Sequence, residues 1–400
     1  VVRPKLGNDS WVNQIEQAIL SLDVMPSMRA MMTSGAALDR DNTAGYNCSY
    51  LPVDDPKSFD EAMFILLCGT GVGFSVERQF IQQLPEVPEL FESETMIVVK
   101  DSKEGWAKAY RQLLALLWAG EIPKWDVSRV RPAGARLKTF GGRASGPAPL
   151  VELFNFTVTT FKLAQGRKLS SMECHDLMCF IGQIVVVGGV RRSAMISLSN
   201  LSDDRMRHAK SGQWWETAPH RALANNSVSY TEKPDIETFM REWTALVESK
   251  SGERGIFNRE ASKAQAAKYG RRDPDWQFGT NPCSEIILRP YQFCNLTEVV
   301  VRATDTVKDL ERKVKIATIL GTIQSSYTKF PYLRKVWQRN TEEERLLGVS
   351  LTGIMDNPIM TTVNNKLAGV LDDLRNVAVA TNLEYAELLD IPQSAAITCV

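Results

Sequence analysis

The stretch Thr280-Asn281-Pro282-Cys283-Ser284-Glu285 is the most informative in the chain. Gly279 before it and Pro282 inside it oppose helix: glycine loses the most backbone freedom, and proline lacks the N–H and clashes with the preceding turn. An extended backbone is expected, and along an extended backbone side chains alternate between two faces. Asn281, Cys283 and Glu285 then project to one side, so an amide, a thiol and a carboxylate share the tip of one loop. Such a trio can do chemistry: the thiol reacts, the carboxylate moves a proton and the amide orients a hydroxyl.

Around this loop, apolar residues recur at helical spacing over 13–22, 57–67, 104–118, 151–165, 170–183, 235–249, 307–328 and 368–388. The third is the clearest, with Trp106, Tyr110, Leu113, Leu114 and Leu117 on one face. Short apolar runs at 74–76, 96–100, 184–187 and 194–198 read as strands, the second of them buried, with a turn at Gly188-Gly189. Helices and strands alternate, which favours an α/β fold with a largely parallel sheet. The segment 131–150 is rich in glycine and proline and reads as a long loop; long loops in compact domains are usually functional. No repeat, low-complexity tract or Pro/Ser linker divides the chain, so residues 1–400 are expected to form one domain.

Lysine and arginine number 47, and so do aspartate and glutamate, giving a formal net charge of zero. A dedicated nucleic-acid binder would carry a basic stripe. Nucleotides are not excluded, because a phosphate pocket needs only local donors. The seven cysteines are odd in number, in a chain too long and too apolar to be a small disulfide scaffold. A reducing cytoplasm is the expected setting. The start, VVRPKLGNDS, lacks the pattern of a signal peptide, and no run approaches the roughly eighteen apolar residues of a membrane span.

Two further cysteines draw attention. Cys294 lies eleven residues beyond Cys283, in Tyr291-Gln-Phe-Cys-Asn-Leu296, and Cys48 sits in Gly45-Tyr-Asn-Cys-Ser-Tyr50. Taken singly, each is equally at home as an inert buried thiol. Zinc is poorly supported without a Cys-x-x-Cys pair. Cys174-His175 with Cys179 has partial ligand spacing but falls on an apolar helix and reads as core.

Taken together, these segments resemble the catalytic subunit of ribonucleotide reductases. Asn281-x-Cys283-x-Glu285 followed by Cys294 is similar to the family's finger loop, and Asn47-Cys48 to its first redox-cysteine strand. Cys68-Gly-Thr-Gly-Val-Gly-Phe-Ser-Val76 resembles its Gly-rich connection. Asp101-Ser-Lys-Glu-Gly-Trp106, Arg131-Pro-Ala-Gly-Ala135 and Gly188-Gly-Val-Arg-Arg-Ser-Ala194 resemble its effector segments and the loop that reports to the substrate. The matches run in family order across nearly all of the chain. Pro282, between the asparagine and the cysteine, is typical of the adenosylcobalamin-dependent class; the class with a separate di-metal subunit usually has leucine there.

The resemblance implies a ten-stranded α/β barrel of two five-stranded parallel halves, threaded by a central finger loop. It implies reduction of ribonucleotides to 2′-deoxyribonucleotides by thiyl-radical chemistry, with adenosylcobalamin as radical source and no protein-bound metal. Cys283 would carry the radical, Glu285 act as general base and Asn281 hold the ribose. Cys48 and Cys294 would supply two electrons and end as a disulfide. Asp101, Ser102, Lys103 and Arg131 would meet a dNTP or ATP effector, and Arg191 would report its identity to the substrate. Ser27, Thr33 and Ser34 could touch substrate, while Arg143-Ala-Ser-Gly-Pro147 could instead be a structural turn. A thioredoxin-like protein is the expected reductant of a monomer or homodimer. An ATP-cone domain is not visible, and the family's Pro-Ser-Gly-Thr loop and C-terminal cysteine pair lie beyond this sequence, so a piece of a longer catalytic domain is expected. The same reaction with a di-metal partner subunit, and a non-catalytic deoxynucleotide-binding homologue, are the competing expectations.

Overall fold

A computed structural model of the chain describes residues 3–6, 10–136, 143–187 and 194–398. It comprises two compact units. The central unit holds Ser49–Ala264 and Asp275–Tyr291; the terminal unit holds Val1–Cys48, Gln265–Pro274 and Gln292–Val400.

In the central unit, Gly71–Ser75 pairs in parallel with Met195–Asn200, that strand with Ala224–Tyr230, and that with Gly255–Asn258. The strand Cys48–Pro52 lies on the other side of Gly71–Ser75. Its continuation is tied there by the Val53 N–H, which donates to the Ser75 carbonyl at 2.9 Å. The inner strands are buried along almost their whole length, as parallel strands covered by helices must be. The helices Lys57–Leu67, Lys103–Trp118, Ala148–Leu163 and Ser171–Val187 pack against one another in this unit. The first is so deeply set that Asp60 within it is fully buried, where it pairs with Arg111 at 2.7 Å. The α/β alternation and the parallel pairing read from the sequence are both present.

Three local readings need correction. Residues 184–187 are not a strand but the last turn of the helix Ser171–Val187. A short apolar run has no period of its own, and here it continues the buried face of the helix before it. The strand expected at 96–100 spans Phe91–Val98 and is largely exposed. Among the described residues it pairs only with Glu121–Asp126, in a two-stranded parallel ribbon, and Ile97 is buried while Met96 is not. The loop after Arg131 ends sooner than expected, because helix resumes at Ala148. Within it, Ala144 N–H donates to the Ala135 carbonyl at 2.7 Å and Gly134 N–H to the Ala144 carbonyl at 2.8 Å. These bonds tie Ala144, in the segment Arg143–Pro147, to the chain at Gly134–Ala135. The proposed turn at Gly188-Gly189 lies outside the described residues.

The terminal unit is built on Gln292–Val300, which pairs in parallel with Leu347–Thr352, itself parallel to Ile397–Thr398. Val24–Met25 adds an antiparallel edge to Gln292–Val300. The helix Val307–Ser325 packs on these strands and on the helix Asn365–Leu388. Thr306 starts it with a reciprocal cap, in which Asp309 answers the Thr306 backbone and hydroxyl. Val24, Val299, Ile316, Ile319, Ile323 and Leu347 are completely buried in the resulting core. Full burial of each such side chain contributes about 1.5–3 kcal/mol. Among the described residues no helix is long and apolar enough to cross a membrane.

Candidate functional site

The signature segment forms an antiparallel hairpin in the central unit. Gly279–Thr280 pairs with Ile287–Leu288, Thr280 level with Ile287 and Gly279 with Leu288. The tip between them is not extended, contrary to the expectation from Gly279 and Pro282. Ser284 N–H donates to the Asn281 carbonyl at 3.0 Å, closing a tight turn, and Ser284 takes a left-handed φ of 68°. The cause is the Asn281 carboxamide, whose Oδ1 accepts the Ile286 N–H at 2.9 Å and the Thr280 hydroxyl at 3.3 Å. Pro282, with its fixed φ and no N–H to place, suits the turn.

The three side chains therefore do not line one face. Asn281 is fully buried beneath the turn, Cys283 stands exposed at its apex, and Glu285 is half-buried on the returning arm. One carboxylate oxygen of Glu285, Oε2, is buried and takes no hydrogen bond from the described residues. Burial, and secondarily the Glu285 charge, push the Cys283 thiol above its ordinary range. At neutral pH the sulfur thus keeps its hydrogen.

The root of the hairpin is pinned. Gly279 lies flat on the ring of Tyr50, where any Cβ would enter the ring, and Gly73 lets the Thr280 carbonyl approach the sheet just as closely. Arg259, completely buried, donates Nε–H to the Phe278 carbonyl at 2.7 Å. Its two terminal nitrogens grip the Glu77 carboxylate at 2.9 and 2.6 Å.

In the terminal unit, Asn47 N–H donates to the Cys294 carbonyl at 3.2 Å, and Asn47 Oδ1 accepts the Leu296 N–H at 3.1 Å. Cys48 thus sits one residue from a chain bonded to the Cys294 backbone. Both thiols are buried.

Comparison with known proteins bears on the whole arrangement. The family described as "B12-dependent ribonucleotide reductase, insertion domain" matches residues 77–160. The adenosylcobalamin-dependent ribonucleoside-triphosphate reductase of Lacticaseibacillus paracasei is 31% identical over 362 residues, covering 78% of this chain and 46% of its own. The chain belongs to the B12-dependent ribonucleotide reductases. The reductase of the same name from Lactobacillus helveticus is 28% identical, with 88% of this chain and 55% of that one covered. The chain thus spans about half the length of these curated relatives. A crystal structure of a B12-dependent (class II) ribonucleotide reductase shares the fold, with a TM-score of 0.81 and 22% identity over 96% of this chain and 64% of that one. The class Id ribonucleotide reductase alpha subunit of Actinobacillus ureae is more distant, at a TM-score of 0.56 and 12% identity.

In this member of the family the expected effector residues Asp101, Ser102, Lys103 and Arg131 lie in the central unit. Ser102 caps the helix Lys103–Trp118, accepting the Gly105 N–H at 2.9 Å, and Arg131 Nε meets Asp101 at 2.7 Å. Lys103 turns inward, its amine 3.2 Å from the Cys68 sulfur. Arg191 lies outside the described residues. In the terminal unit, Ser27, Thr33 and Ser34 spend their hydroxyls on the helix Met28–Thr33. Ser27 Oγ accepts the Arg29 N–H at 3.2 Å, and Thr33 and Ser34 donate to the carbonyls of Arg29 and Ala30 at 2.8 and 2.5 Å. Cys174, His175 and Cys179 are core, as expected. His175 is bonded to Asn226 at 3.0 Å, and the described residues contain no metal-binding cluster. Sequence reasoning missed Arg259, Glu77 and Tyr50. The glycines Gly73 and Gly279 were the only local sign that another backbone or ring comes close there.

Proposed function

We propose that this chain carries the catalytic core of an adenosylcobalamin-dependent reductase of ribonucleoside triphosphates, the substrate class in the names of its relatives. The observation that carries this reading is the hairpin tip, with an exposed thiol beside a carboxylate whose buried oxygen lacks a partner among the described residues. The five-strand path of the central unit fits one half of a ten-stranded barrel of two parallel five-stranded halves, the architecture we infer for the complete domain.

The residues fit a radical-generating cofactor. A hydrogen-atom donor must be a thiol that can be reached, and Cys283 stands exposed at the hairpin apex, where partial desolvation and the Glu285 charge favour the thiol over the thiolate. Adenosylcobalamin, when bound, supplies a carbon radical by homolysis of its cobalt–carbon bond, and Cys283 is the residue that would face it. Cys283, once a thiyl, takes the 3′ hydrogen atom of the ribose. Glu285 accepts the 3′-hydroxyl proton on its unpartnered oxygen. Asn281 holds the turn through its amide oxygen, and its side chain would orient the ribose. The 2′-hydroxyl takes a proton from the cysteine pair and departs as water, and after reduction Cys283 returns the hydrogen atom to C3′ and is a thiyl again. Cys48 and Cys294 give up two electrons and two protons and become a disulfide, which requires Cα atoms within about 7 Å. A thioredoxin-like dithiol restores them. Asp101, Ser102, Lys103 and Arg131 would receive the effector nucleotide, with guanidinium meeting phosphate.

The test is deoxyribonucleotide formation by the intact gene product with dithiothreitol, with and without adenosylcobalamin. Product only with the cofactor is expected. Product only on adding a di-metal subunit would overturn the cofactor assignment, and binding of deoxynucleotides without any turnover would overturn the enzyme.

A further inference from the structure

A buried ion pair is a costly way to hold a fold together. Its desolvation penalty commonly matches its attraction, and well-packed apolar side chains often do as well or better. What such a pair does provide is directional, multi-point geometry, and arginine provides most because its fork is planar and rigid. Arg259 and Glu77 are both completely buried in the central unit, and the carboxylate is gripped by both terminal guanidinium nitrogens. Ser75 Oγ–H donates to Glu77 Oε2 at 2.8 Å, fixing the carboxylate against the strand Gly71–Ser75. The third guanidinium nitrogen, Nε, donates its N–H to the carbonyl of Phe278 at 2.7 Å. Phe278 is the residue immediately before the hairpin that carries Cys283. Its neighbours are seated as closely as backbone allows, Gly279 on Tyr50 and Thr280 over Gly73.

We infer that Arg259, oriented by Glu77, is a positioning residue for Cys283. It locks the root of the hairpin to the strand Gly71–Ser75 so that the thiol at the apex is held in one place. Its relevance to radical transfer rests on the function proposed above, but the mechanical claim does not. Arg259 touches neither the thiol nor any reacting atom. A hairpin of two-residue arms is too short to fix its own tip, so the tip can be no better placed than its root. Radical transfer from carbon to sulfur and back needs placement to a fraction of an ångström.

Arg259→Lys in the full chain keeps the charge opposite Glu77 and loses the donor to Phe278. Two readouts need neither cofactor nor turnover: amide exchange followed by mass spectrometry, and the rate at which iodoacetamide labels Cys283. Exchange over residues 279–288 is expected to rise about tenfold, and labelling about threefold, while a peptide covering Met195–Asn200 exchanges as before. A folded variant with hairpin exchange and labelling unchanged would overturn the inference. So would exchange rising equally throughout the unit, the mark of a merely structural role. Should Arg259→Lys not fold, Ser75→Ala removes only the hydroxyl that holds Glu77, and the same comparison is made with smaller changes expected. If these readouts behave as expected but the intact protein makes no deoxyribonucleotide, the proposed reaction fails and the positioning role stands.

Discussion

The two places that hold the thiols of the proposed reaction are built on opposite plans. Cys283 stands exposed at the apex of a six-residue tip, on a turn that forces the next residue, Ser284, into the left-handed region. Cys48 and Cys294 are buried at strand starts, flanked by backbone hydrogen bonds through Asn47. A thiol that must exchange a hydrogen atom with two different molecules has to be reached. Its placement must therefore come from the hairpin beneath it, since little surrounds it. Thiols that pass between dithiol and disulfide need mainly to be near each other, and regular strands supply that at no cost in strain. The difference teaches that exposure and rigidity are separable: the exposed site takes its rigidity from buried polar groups, Asn281 in the turn and Arg259 at the root.

The largest expected effect comes from removing the exposed sulfur. Cys283→Ala should lower deoxyribonucleotide formation by about four orders of magnitude or more, as loss of a covalently acting residue does. Stability should change by no more than about 0.5 kcal/mol, because the side chain packs against little. Cys294→Ser should instead allow substrate to be consumed without net reduction. Identical product loss and identical substrate sparing in the two variants, measured by chromatography of the nucleotides, would erase the distinction between the sites.

Glu285→Gln keeps the shape of the tip and removes the proton acceptor, so turnover should fall by about 10²- to 10⁴-fold. The same change acts on the neighbouring sulfur. Burial raises the Cys283 thiol first and the Glu285 charge adds to it, so removing the charge makes the thiolate easier to form. The pH profile of Cys283 alkylation should therefore move to lower pH. A shift to higher pH, or none, would show that Glu285 does not face the sulfur.

A third test compares the thiols directly. In the native protein Cys283 should react with iodoacetamide at least about a hundredfold faster than Cys294 or Cys48, which react only through opening of the strands around them. Peptide mass spectrometry reads all three at once. Comparable rates would mean that the buried pair is as accessible as the apex.

How much of this was legible in the sequence differs between the same two regions. The order of motifs and the trio around Cys283 were readable, because they depend on residue types at short spacing. The geometry of the trio was not. Alternation along an extended strand placed Asn281, Cys283 and Glu285 on one face, whereas the Asn281 carboxamide bonds its own turn and buries itself. Asparagine routinely competes with regular backbone in this way, and spacing alone does not say when it wins. Arg259 illustrates a deeper limit. It is 182 positions from Glu77, and nothing local distinguishes it from a surface arginine. The parallel sheet was foreseeable from alternating elements, but the run 184–187 was misread because four apolar residues fit a helix end as well as a strand.

The smallest expected effect tests whether the apex is strained. Ser284 adopts φ 68°, a conformation that costs a non-glycine residue about 1 kcal/mol or more. Ser284→Gly removes that cost but gives the unfolded chain more freedom, which offsets part of the gain. A net stabilisation of about 0.5 kcal/mol is expected in urea unfolding, with Cys283 labelling unchanged, because Asn281 and Pro282 still shape the turn. A destabilised variant would mean that Ser284 makes a contact worth more than its strain. A stabilised variant with faster labelling would mean that the strained residue, and not the buried carboxamide, holds the thiol in place. The rigidity of the exposed site would then come from its tip, and the contrast with the strand-borne pair would rest on exposure alone.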